Sequence, residues 1–482
     1  YLESIEQGRR LLELAASSSK PIIVQKANRG AASAQIAFSH TAALANDERI
    51  VDAALRQTGV ARAATFDEAV ALAQGFSLPP VNGSDLLIIS RSGGHAVVAA
   101  DAAEARDLRL ISVPDGFLDE VRRLFRADVI APTNPLDLGA IFDFDLYSRI
   151  VEKSLHALAP HALLLVHTYS AGPEAEASRR LARRLEELGR EMEKPIAFCA
   201  FAHRDEVEAL KAQTALPIFT EIEAAVQALA ASRDRHTRPT QLLPLPSPSE
   251  DRLDKVEALL ASEGVLTSDA ALDLCAAYDI PVAEWAIVQD VESAQFAAGA
   301  IGYPVVLKGL SADVSHKSDA GLVKLDLRNA EDLQSAFAAL LVALREHDPG
   351  PSSRRVMVQQ RVSEGREVIV GGRRDPSFGP IVMVGLGGIH VEVLEDVAFR
   401  LAPLARGEAE RMVDELQGSR LLHGVRGQPP ADVDFIVDVL LAMSRLLIAC
   451  PEIEEIDVNP LIVFGEGGAA VDARAVVRRQ KT

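Results

Sequence analysis

The 482-residue sequence predicts an α/β protein with two parallel-sheet domains followed by an α+β module. In the first half, short apolar runs without polar alternation are separated by helical patterns, which is typical of parallel sheets covered on both faces. After residue 251 a helix is predicted at 256–264, and the predicted strands include 285–288, 305–309 and 469–472. Several of the strands in this part alternate in polarity, which favours antiparallel sheets with one solvated face. The length itself suits about three domains.

The first domain is predicted over residues 1–77. An apolar run at 21–26 predicts a buried strand, and helical patterns follow at 47–59 and 66–76. His40 lies after the strand, in the stretch Ser-His-Thr-Ala-Ala-Leu-Ala. Active sites of α/β proteins lie beyond the carboxyl ends of the strands, which is where this stretch is expected. The alternative is a solvated loop histidine, which is the commoner case for a single histidine. Because a helical pattern follows Tyr1 almost immediately, we expect that the chain begins inside a domain.

A second parallel-sheet domain is predicted over residues 85–234. Its predicted strands are residues 86–90, 108–113, 163–168, 196–200 and 217–220. The loop Ser-Arg-Ser-Gly-Gly-His-Ala at 90–96 lies between a strand and a helix predicted at 97–105. Small residues there let backbone amides face an anion at the helix N-terminus. An ordinary tight turn is the alternative, and the loop at 133–139 either faces the same place or is a capped turn.

Residues 235–250 are predicted to form an extended linker, since four prolines fall within residues 236–250. The last part, residues 251–482, contains Lys308 on an apolar strand at 305–309. Lysine is rarely buried unless it is paired, and a nucleotide phosphate is a suitable partner. The alternative is a lysine that extends to the edge of the sheet.

Two further groups of polar residues occur in this last part. Asn459 and Asp472 lie on neighbouring predicted strands, and a few hard oxygen ligands suit Mg²⁺. Turn-forming residues are the alternative for either one alone. His316, in the polar stretch 315–321, would by itself be assigned to a hairpin turn.

The composition excludes some classes of protein. A net charge of −19 argues against nucleic-acid and anionic-membrane partners, which select basic patches. The three cysteines are widely spaced and form no C-x-x-C pair, so neither a disulfide framework nor a zinc site is indicated. No apolar run reaches 18 residues and no signal peptide is found, so we expect a protein of the reducing cytoplasm.

Six motifs, in order, resemble the NDP-forming acyl-CoA synthetases, typified by ADP-forming acetyl-CoA synthetase and related to succinyl-CoA synthetase. The resemblance extends from residue 1 to residue 477. The motifs are SHTAALA at 39–45, SHKSDAG at 315–321, EVIVG at 367–371, RDPSFGP at 374–380, GLGGI at 385–389 and EIDVNPL at 455–461.

The resemblance implies the domain organisation. Residues 1–77 would be the C-terminal part of a flavodoxin-like domain that carries a phosphohistidine, and residues 85–234 a second flavodoxin-like domain. Residues 251–482 would be an ATP-grasp nucleotide-binding module. The family's N-terminal CoA-binding domain would be missing from this chain, and a homodimer is expected.

The resemblance also implies an activity. The chain would interconvert acyl-CoA, ADP and phosphate with a small carboxylic acid, CoA and ATP through acyl phosphate and phosphohistidine, with Mg²⁺ as cofactor. His40 would be the nucleophile, Glu3 would orient it, and His316 would relay the phosphoryl group. The implied binding residues are Ser92, Gly93, Gly94 and Asn134 for phosphate, Lys308, Gln359, Gln360, Val362 and Glu367 for nucleotide, and Asn459 and Asp472 for metal.

The sequence departs from the family pattern near the expected acyl-phosphate site. Ala42 and Asn46 replace glycines, and His95-Ala96 replaces a common Pro-Gly. The sequence therefore does not identify the carboxylic acid substrate, and the candidates include larger and aromatic acids. One alternative function is an ATP-grasp carboxylate ligase without phosphohistidine, which would give His40 and His316 no role. The other is a regulatory synthetase-like protein that binds nucleotide or acyl-CoA.

Overall fold

The computed structural model describes residues 7–27, 47–125, 133–139, 141, 143–237, 242–246, 254–261, 263–311, 320–347, 355–362, 365–387, 396–424 and 429–478. These residues form two compact units. The described residues within 12–27 and 55–237 form the first unit. Those within 7–11, 47–54 and 242–478 form the second unit. Among the helices of the described ranges, none combines the length and the hydropathy needed to cross a bilayer.

The first unit is built around a parallel sheet. In chain order the elements from the N-terminus to this unit's end are α1 (Gly8–Ser17), β1 (Ile23–Gln25), α2 (Glu48–Gln57), β2 (Ala61–Ala63), α3 (Phe66–Ser77), β3 (Asp85–Ser90), α4 (Gly93–Glu104), β4 (Arg109–Leu110), α5 (Asp115–Phe125), β5 (Leu136–Asp137), α6 (Phe144–Leu158), β6 (Ala162–Thr168), α7 (Ala175–Glu191), β7 (Ile196–Phe201), α8 (Arg204–Lys211), β8 (Ile218–Phe219) and α9 (Ile222–Thr237). Part of α1 and part of α2 are counted with the second unit.

The strand order of the main sheet is β4-β3-β6-β7-β8, with β5 also beside β3, and every pairing is parallel. The apolar runs of β3 and β6 are fully buried, because α9 packs with α3 and α4 while α6 packs with α7. A separate parallel pair joins β1 to β2. The predicted α/β class with a parallel sheet is confirmed.

Several boundaries in this unit differ from the prediction, among them the following three. Helix α4 begins at Gly93 rather than at residue 97, which places both glycines in its first turn. Strand β4 covers two residues of the six predicted. Helix α9 continues through Thr237, into the range predicted as linker, because its side chains at Ser232 and Arg233 are buried against the unit.

The second unit contains two antiparallel sheets. Its elements are α10 (Asp254–Leu259), β9 (Gly264–Val265), α11 (Ser268–Ala277), β10 (Trp285–Val288), α12 (Val291–Ile301), β11 (Val305–Gly309), β12 (Val323–Leu327), α13 (Ala330–His347), β13 (Val356–Gln360), β14 (Arg366–Asp375), β15 (Gly379–Leu386), β16 (Val397–Leu401), α14 (Arg406–Asp414), a 3₁₀ turn (Ser419–Leu421), α15 (Val433–Ala449), β17 (Ile453–Val463), β18 (Gly468–Ala470) and β19 (Ala473–Val477).

One sheet has the order β10-β13-β11-β12, and the other has the order β16-β15-β14-β17-β19-β9 with β18 beside β17. Helices α12 and α13 cover one face of the four-stranded sheet, and α15 packs on β14 and β15 of the larger one. The antiparallel pairing predicted from alternating polarity is confirmed.

The sequence misassigned two segments here. The helix predicted at 256–264 ends at Leu259, and Gly264, with a φ of +118°, begins strand β9, which pairs with β19. The strand predicted at 469–472 ends at Ala470. The chain leaves the ladder at Val471 and Asp472, and β19 then forms from residues that no predicted strand included.

Candidate functional site

The loop after β3 brings the start of helix α4 to the carboxyl edge of the parallel sheet. Ser90 Oγ donates to Ser92 O at 2.8 Å and accepts from Ser92 N at 3.1 Å, which fixes the turn before the helix. The first hydrogen bond of the helix runs from Ala96 N to Ser92 O, so the amides of Gly93 and Gly94 precede it. These N–H groups carry the positive end of the helix dipole, which favours an anion.

A carboxylate that the sequence reasoning missed lies beside this helix start. A Cβ atom at Gly93 would lie 2.9 Å from Asp137 Oδ2, so a larger residue would displace the carboxylate. Asp137 Oδ1 accepts from Gly139 N at 2.9 Å, which holds the side chain in place. A negative charge is favourable at a helix N-terminus, so Asp137 interacts with the same dipole that would attract a phosphate.

Arg91, in the same loop, binds the protein itself. Its guanidinium donates to Glu174 at 2.7 and 3.0 Å and to Thr168 O at 2.7 Å, and it lies 4.8 Å from the ring centre of Phe144. Glu174 also accepts from Ser170 N at 2.8 Å. These contacts tie the end of β6 to the loop that begins α4. No motif signals this pair, whose members are 83 positions apart.

The Arg91–Glu174 pair predicts a pH-dependent contribution to stability. The hydrogen bond from Arg91 holds the pKa of Glu174 below its usual range, against the opposing effect of partial burial. Because the folded-state pKa is lowered, the stabilisation is fully present above the ordinary glutamate pKa of about 4.3 and is lost as pH falls through the folded-state value.

We therefore expect Glu174→Gln to lower the Tm by roughly 3–12 °C at pH 7 and by a smaller amount at pH 3. Thermal unfolding of both proteins at the two pH values measures this difference. Glu208→Gln, which removes an exposed pair with Lys211, is the control and should change neither Tm appreciably. An equal loss of Tm at both pH values would contradict a role for the ionised carboxylate.

Asn134, which is predicted to bind phosphate, has a side chain that is hydrogen-bonded to the protein itself. Its Nδ2 donates to Leu86 O at 2.8 Å and to Ile111 O at 3.1 Å, and its Oδ1 accepts from Ile88 N at 3.0 Å. The amide therefore joins the backbone of β3 to the segment after β4 and is already engaged through both donors. The sequence correctly placed Asn134 in a loop beside the sheet but did not reveal these partners.

Three predicted catalytic residues, Glu3, His40 and His316, lie outside the described residues. Their roles stay predictions.

In the second unit, Lys308 lies on β11 with 5% of its surface exposed. Its Nζ donates to Val471 O at 2.8 Å, directly before Asp472 in the chain. Asp472 Oδ1 accepts from Ser268 Oγ at 2.7 Å and from Ala473 N at 3.0 Å, which orients the carboxylate. The structure thus brings the predicted nucleotide lysine next to a predicted metal ligand, although 164 positions separate them in the sequence.

The second predicted metal ligand lies beside the first. Asn459 N donates to Asp472 O at 3.1 Å, and Val471 N donates to Pro460 O at 3.0 Å. Asn459 is exposed and Asp472 is half-buried. The described ranges hold no group of three or more His, Cys, Asp or Glu side chains that could bind a metal ion. A site with one amide and one carboxylate suits Mg²⁺, which keeps several waters and binds substrate phosphates.

The remaining predicted nucleotide ligands are divided between the two sheets of this unit. Gln359 is fully buried near the end of β13, the next residue Gln360 is exposed, and Val362 is half-buried. Gln360 N donates to Glu284 O at 2.8 Å, which holds this end of the strand. Glu367 is exposed on β14 of the larger sheet.

Comparison with known proteins identifies the family of this chain. Residues 257–477 match the ATP-grasp domain, and residues 1–76 match the succinyl-CoA ligase like flavodoxin domain. Over 99% of its length the chain is 35% identical to the ADP-forming acetate–CoA ligase I of Archaeoglobus fulgidus, of which it covers 69%. The chain belongs to the ADP-forming acetate–CoA ligase family. The predicted family, fold class and enzyme class, an ADP-forming acid–CoA ligase, are thereby confirmed.

Other members of the ADP-forming acetate–CoA ligase family and its relatives are also similar. The ADP-forming 4-hydroxybutyrate–CoA ligase of Nitrosopumilus maritimus is 29% identical over 98% of this chain, which covers 69% of that protein. A solved chain of acetyl-coenzyme A synthetase 1 from Ca. Korarchaeum cryptofilum, in complex with coenzyme A and Ca-AMPCP, is 38% identical. The match covers 46% of this chain and 97% of that chain, with a TM-score of 0.45.

Proposed function

We propose that this ligase works through acyl phosphate and two successive phosphohistidines. Phosphate attacks the thioester carbonyl of acyl-CoA, the C–S bond breaks, and CoA leaves as acyl phosphate forms. An imidazole nitrogen of His40 then attacks phosphorus and releases the carboxylate. The phosphoryl group passes to His316 and from there to the terminal phosphate of ADP, which yields ATP. Every step is reversible, so the same residues serve acyl-CoA synthesis.

The observation that carries the nucleotide half of this proposal is the hydrogen bond from Lys308 to the residue before Asp472. This bond holds a buried lysine beside the residue that we propose as a metal ligand, and phosphoryl transfer depends on positioning and charge neutralisation. Lys308 would contact the nucleotide phosphates, and the segment from Gln359 through Gln360 to Val362 would border the base. Glu367 completes the proposed nucleotide ligands, and ATP and ADP are the nucleotides we infer.

Asn459 and Asp472 would hold Mg²⁺, and their donor set fits that ion. When bound there, Mg²⁺ neutralises phosphate charge. Other residues of the chain hold these two proposed ligands in position. Ser268 Oγ and Ala473 N fix the Asp472 carboxylate, and the backbone bond from Asn459 to Asp472 keeps the two ligands adjacent.

In the first unit, the helix start at Ser92, Gly93 and Gly94 would receive the phosphoryl group carried by His40. A neutral imidazole is a competent nucleophile near pH 7, and Glu3 would hold it in the required tautomer. We assign residues 1–77 and 85–234 to two flavodoxin-like domains and residues 251–482 to the nucleotide module. The CoA site belongs to the N-terminal domain that the resemblance places before residue 1.

The proposed acid is a small carboxylic acid, in keeping with relatives named for acetate and 4-hydroxybutyrate. His95, in the first turn of α4, stacks on Phe201 with ring centres 4.3 Å apart and contacts Thr168 Oγ1 at 3.2 Å. Because the family often has proline at this position beside the proposed phosphate site, specificity for acetate does not follow from the resemblance, and a panel of acids should include ones larger than acetate. A homodimer is proposed from the resemblance, and light scattering would measure it.

Direct detection of phosphohistidine tests the mechanism. The longest available form of the protein is incubated with Mg²⁺-ATP, denatured in alkali and analysed by intact mass and labelled peptides, beside His40→Ala and His316→Ala. We expect phosphate on the His40 peptide of the wild type and none on that peptide in either variant. Loss in His40→Ala alone would show direct transfer and remove the relay.

Absence of phosphate from every protein, with ATP still bound, would overturn the phosphohistidine route. That result would favour the plain ATP-grasp carboxylate ligase or the regulatory alternative. Formation of acyl-CoA from acid, CoA and ATP would then separate these two.

A further inference from the structure

Helix α13 is apolar around most of its circumference. Residues 333–344 contain no charged residue, although this run spans about three helical turns. One stripe of the run is buried in the core with the four-stranded sheet, namely Leu333, Phe337, Leu340 and Leu344. The opposite side of the helix is exposed. A helix without a polar face is normally covered all round, so the exposed side of α13 is expected to meet a partner.

The exposed side of α13 has a regular spacing. Five exposed residues follow one another at intervals of four and three positions, namely Glu331, Ser335, Ala338, Val342 and Arg345. Residues with this spacing share one line along a helix, and helices that pack side by side have it. Val342 is 58% exposed, and Phe296 on the neighbouring helix α12 is 82% exposed. The line is therefore uncharged between its two ends and has large apolar side chains exposed on it and beside it.

The two charged ends of this line are opposite in sign and symmetrically placed. Glu331 lies in the first turn of α13 and Arg345 in the last turn, and each is seven residues from Ala338. Seven residues are about two turns, or roughly 10 Å along the axis. Neither charged side chain has an ion-pair partner among the residues that the structure describes. Reversal of the helix direction about Ala338 therefore exchanges the positions of the two charges.

We propose that the α13 face, which comprises the line from Glu331 to Arg345 together with Phe296, binds the same face of a second copy of the chain. A two-fold axis at Ala338 sets the two α13 helices antiparallel and brings Glu331 of each copy to Arg345 of the other. The second copy then covers Val342 and Phe296. Symmetry supplies the complementary charges, whereas a different protein would need them in the matching order. The inference adds an interface to the homodimer proposed above, on which it rests, and uses no step of the proposed reaction.

Val342→Glu tests the contact, because it places two carboxylates without partners in the interface. Sedimentation velocity of the full chain, without substrates and over a series of concentrations, gives the dissociation constant of the dimer. We expect the wild type to form a dimer and the dissociation constant of this variant to rise about a hundredfold or more. Arg445→Glu is the control. Arg445 is exposed on α15, which packs on the larger sheet, and its replacement should leave the dissociation constant unchanged.

A charge exchange tests the antiparallel register. Glu331→Arg and Arg345→Glu should each raise the dissociation constant about tenfold or more, because each creates two like-charge contacts per dimer. The double variant, Glu331→Arg with Arg345→Glu, should restore the dimer. If these charges served only the helix dipole, the double variant would be the least stable of the three and would not regain dimerisation.

Three results would each overturn the inference: a monomeric wild type at every concentration, an unchanged dissociation constant in Val342→Glu, or a double variant that dimerises no more tightly than the single variants. The first result would assign the α13 face to another occupant, such as the N-terminal domain that the resemblance places before residue 1. Circular dichroism of Val342→Glu checks that this exposed substitution leaves the fold intact. Failure of the phosphohistidine route would alter none of these measurements, since no substrate is present.

Discussion

Lys308→Met is expected to abolish most nucleotide-dependent activity while the protein remains folded. The ammonium group is almost fully buried, and charge interactions are several times stronger there than in water. Loss of one such preorganised group costs about 10²–10³-fold in rate. We therefore expect kcat/KM for ATP formation from acyl-CoA, ADP and phosphate to fall by that factor, as measured from initial rates.

The substitution is chosen so that folding and function separate. Methionine keeps the apolar stem of the lysine, which lies on the same face of the sheet as Val306 and Met357, and removes the charge. Lys324→Met is the matched control. Lys324 pairs with Leu307, so it lies on the opposite face of the same sheet, and its replacement should leave the rate nearly unchanged. Activity of Lys308→Met within a few-fold of wild type, with an unchanged Tm, would show that the lysine serves the fold.

Apolar runs with clear ends were sufficient to predict strands. The predicted residues 285–288 and 305–309 are the strands β10 and β11 of the structure, since prolines, glycines and polar residues bound both runs. Helix α4 was predicted four residues late, because glycine has a poor intrinsic helix propensity. In the fold, Ser90 and Ser92 fix the turn, and the helix begins at Gly93 despite that propensity.

Roles that depend on distant partners could not be predicted. The sequence placed Asn134 and Arg91 in loops at the sheet edge, but their partners lie on other strands and at Glu174, directly before helix α7. Lys308 was predicted to be a buried lysine with a partner. In the structure its Nζ donates to Val471 O, a contact that no local sequence pattern indicates. Residue type and strand position thus identified candidate residues, and only packing shows which of them are hydrogen-bonded to other parts of the protein.

The second large effect is expected from Arg400, which lies on β16 with 4% of its side chain exposed. Its guanidinium donates to Glu408 at 2.9 Å, to Glu415 at 2.6 Å and to Phe399 O at 2.8 Å. Glu408 is equally buried and also contacts Arg411. The network attaches helix α14 to the edge strand of the larger sheet, and each of its charges depends on the others for compensation.

Arg400→Met should destabilise the protein by about 3–5 kcal/mol, because it leaves the Glu408 carboxylate buried without its main partner. For a unit of this size the Tm should fall by roughly 6–20 °C. Arg406→Met, which removes exposed pairs with Asp434 and Asp438, is the control and should change the Tm little. Replacement of both charges, Arg400→Met with Glu408→Leu, should recover part of the loss, since it removes the buried Glu408 carboxylate, whereas Glu415 loses its bond from Arg400 in both variants. If the double variant is no more stable than Arg400→Met alone, the loss arises from packing of the arginine or from Glu415 rather than from the Glu408 carboxylate.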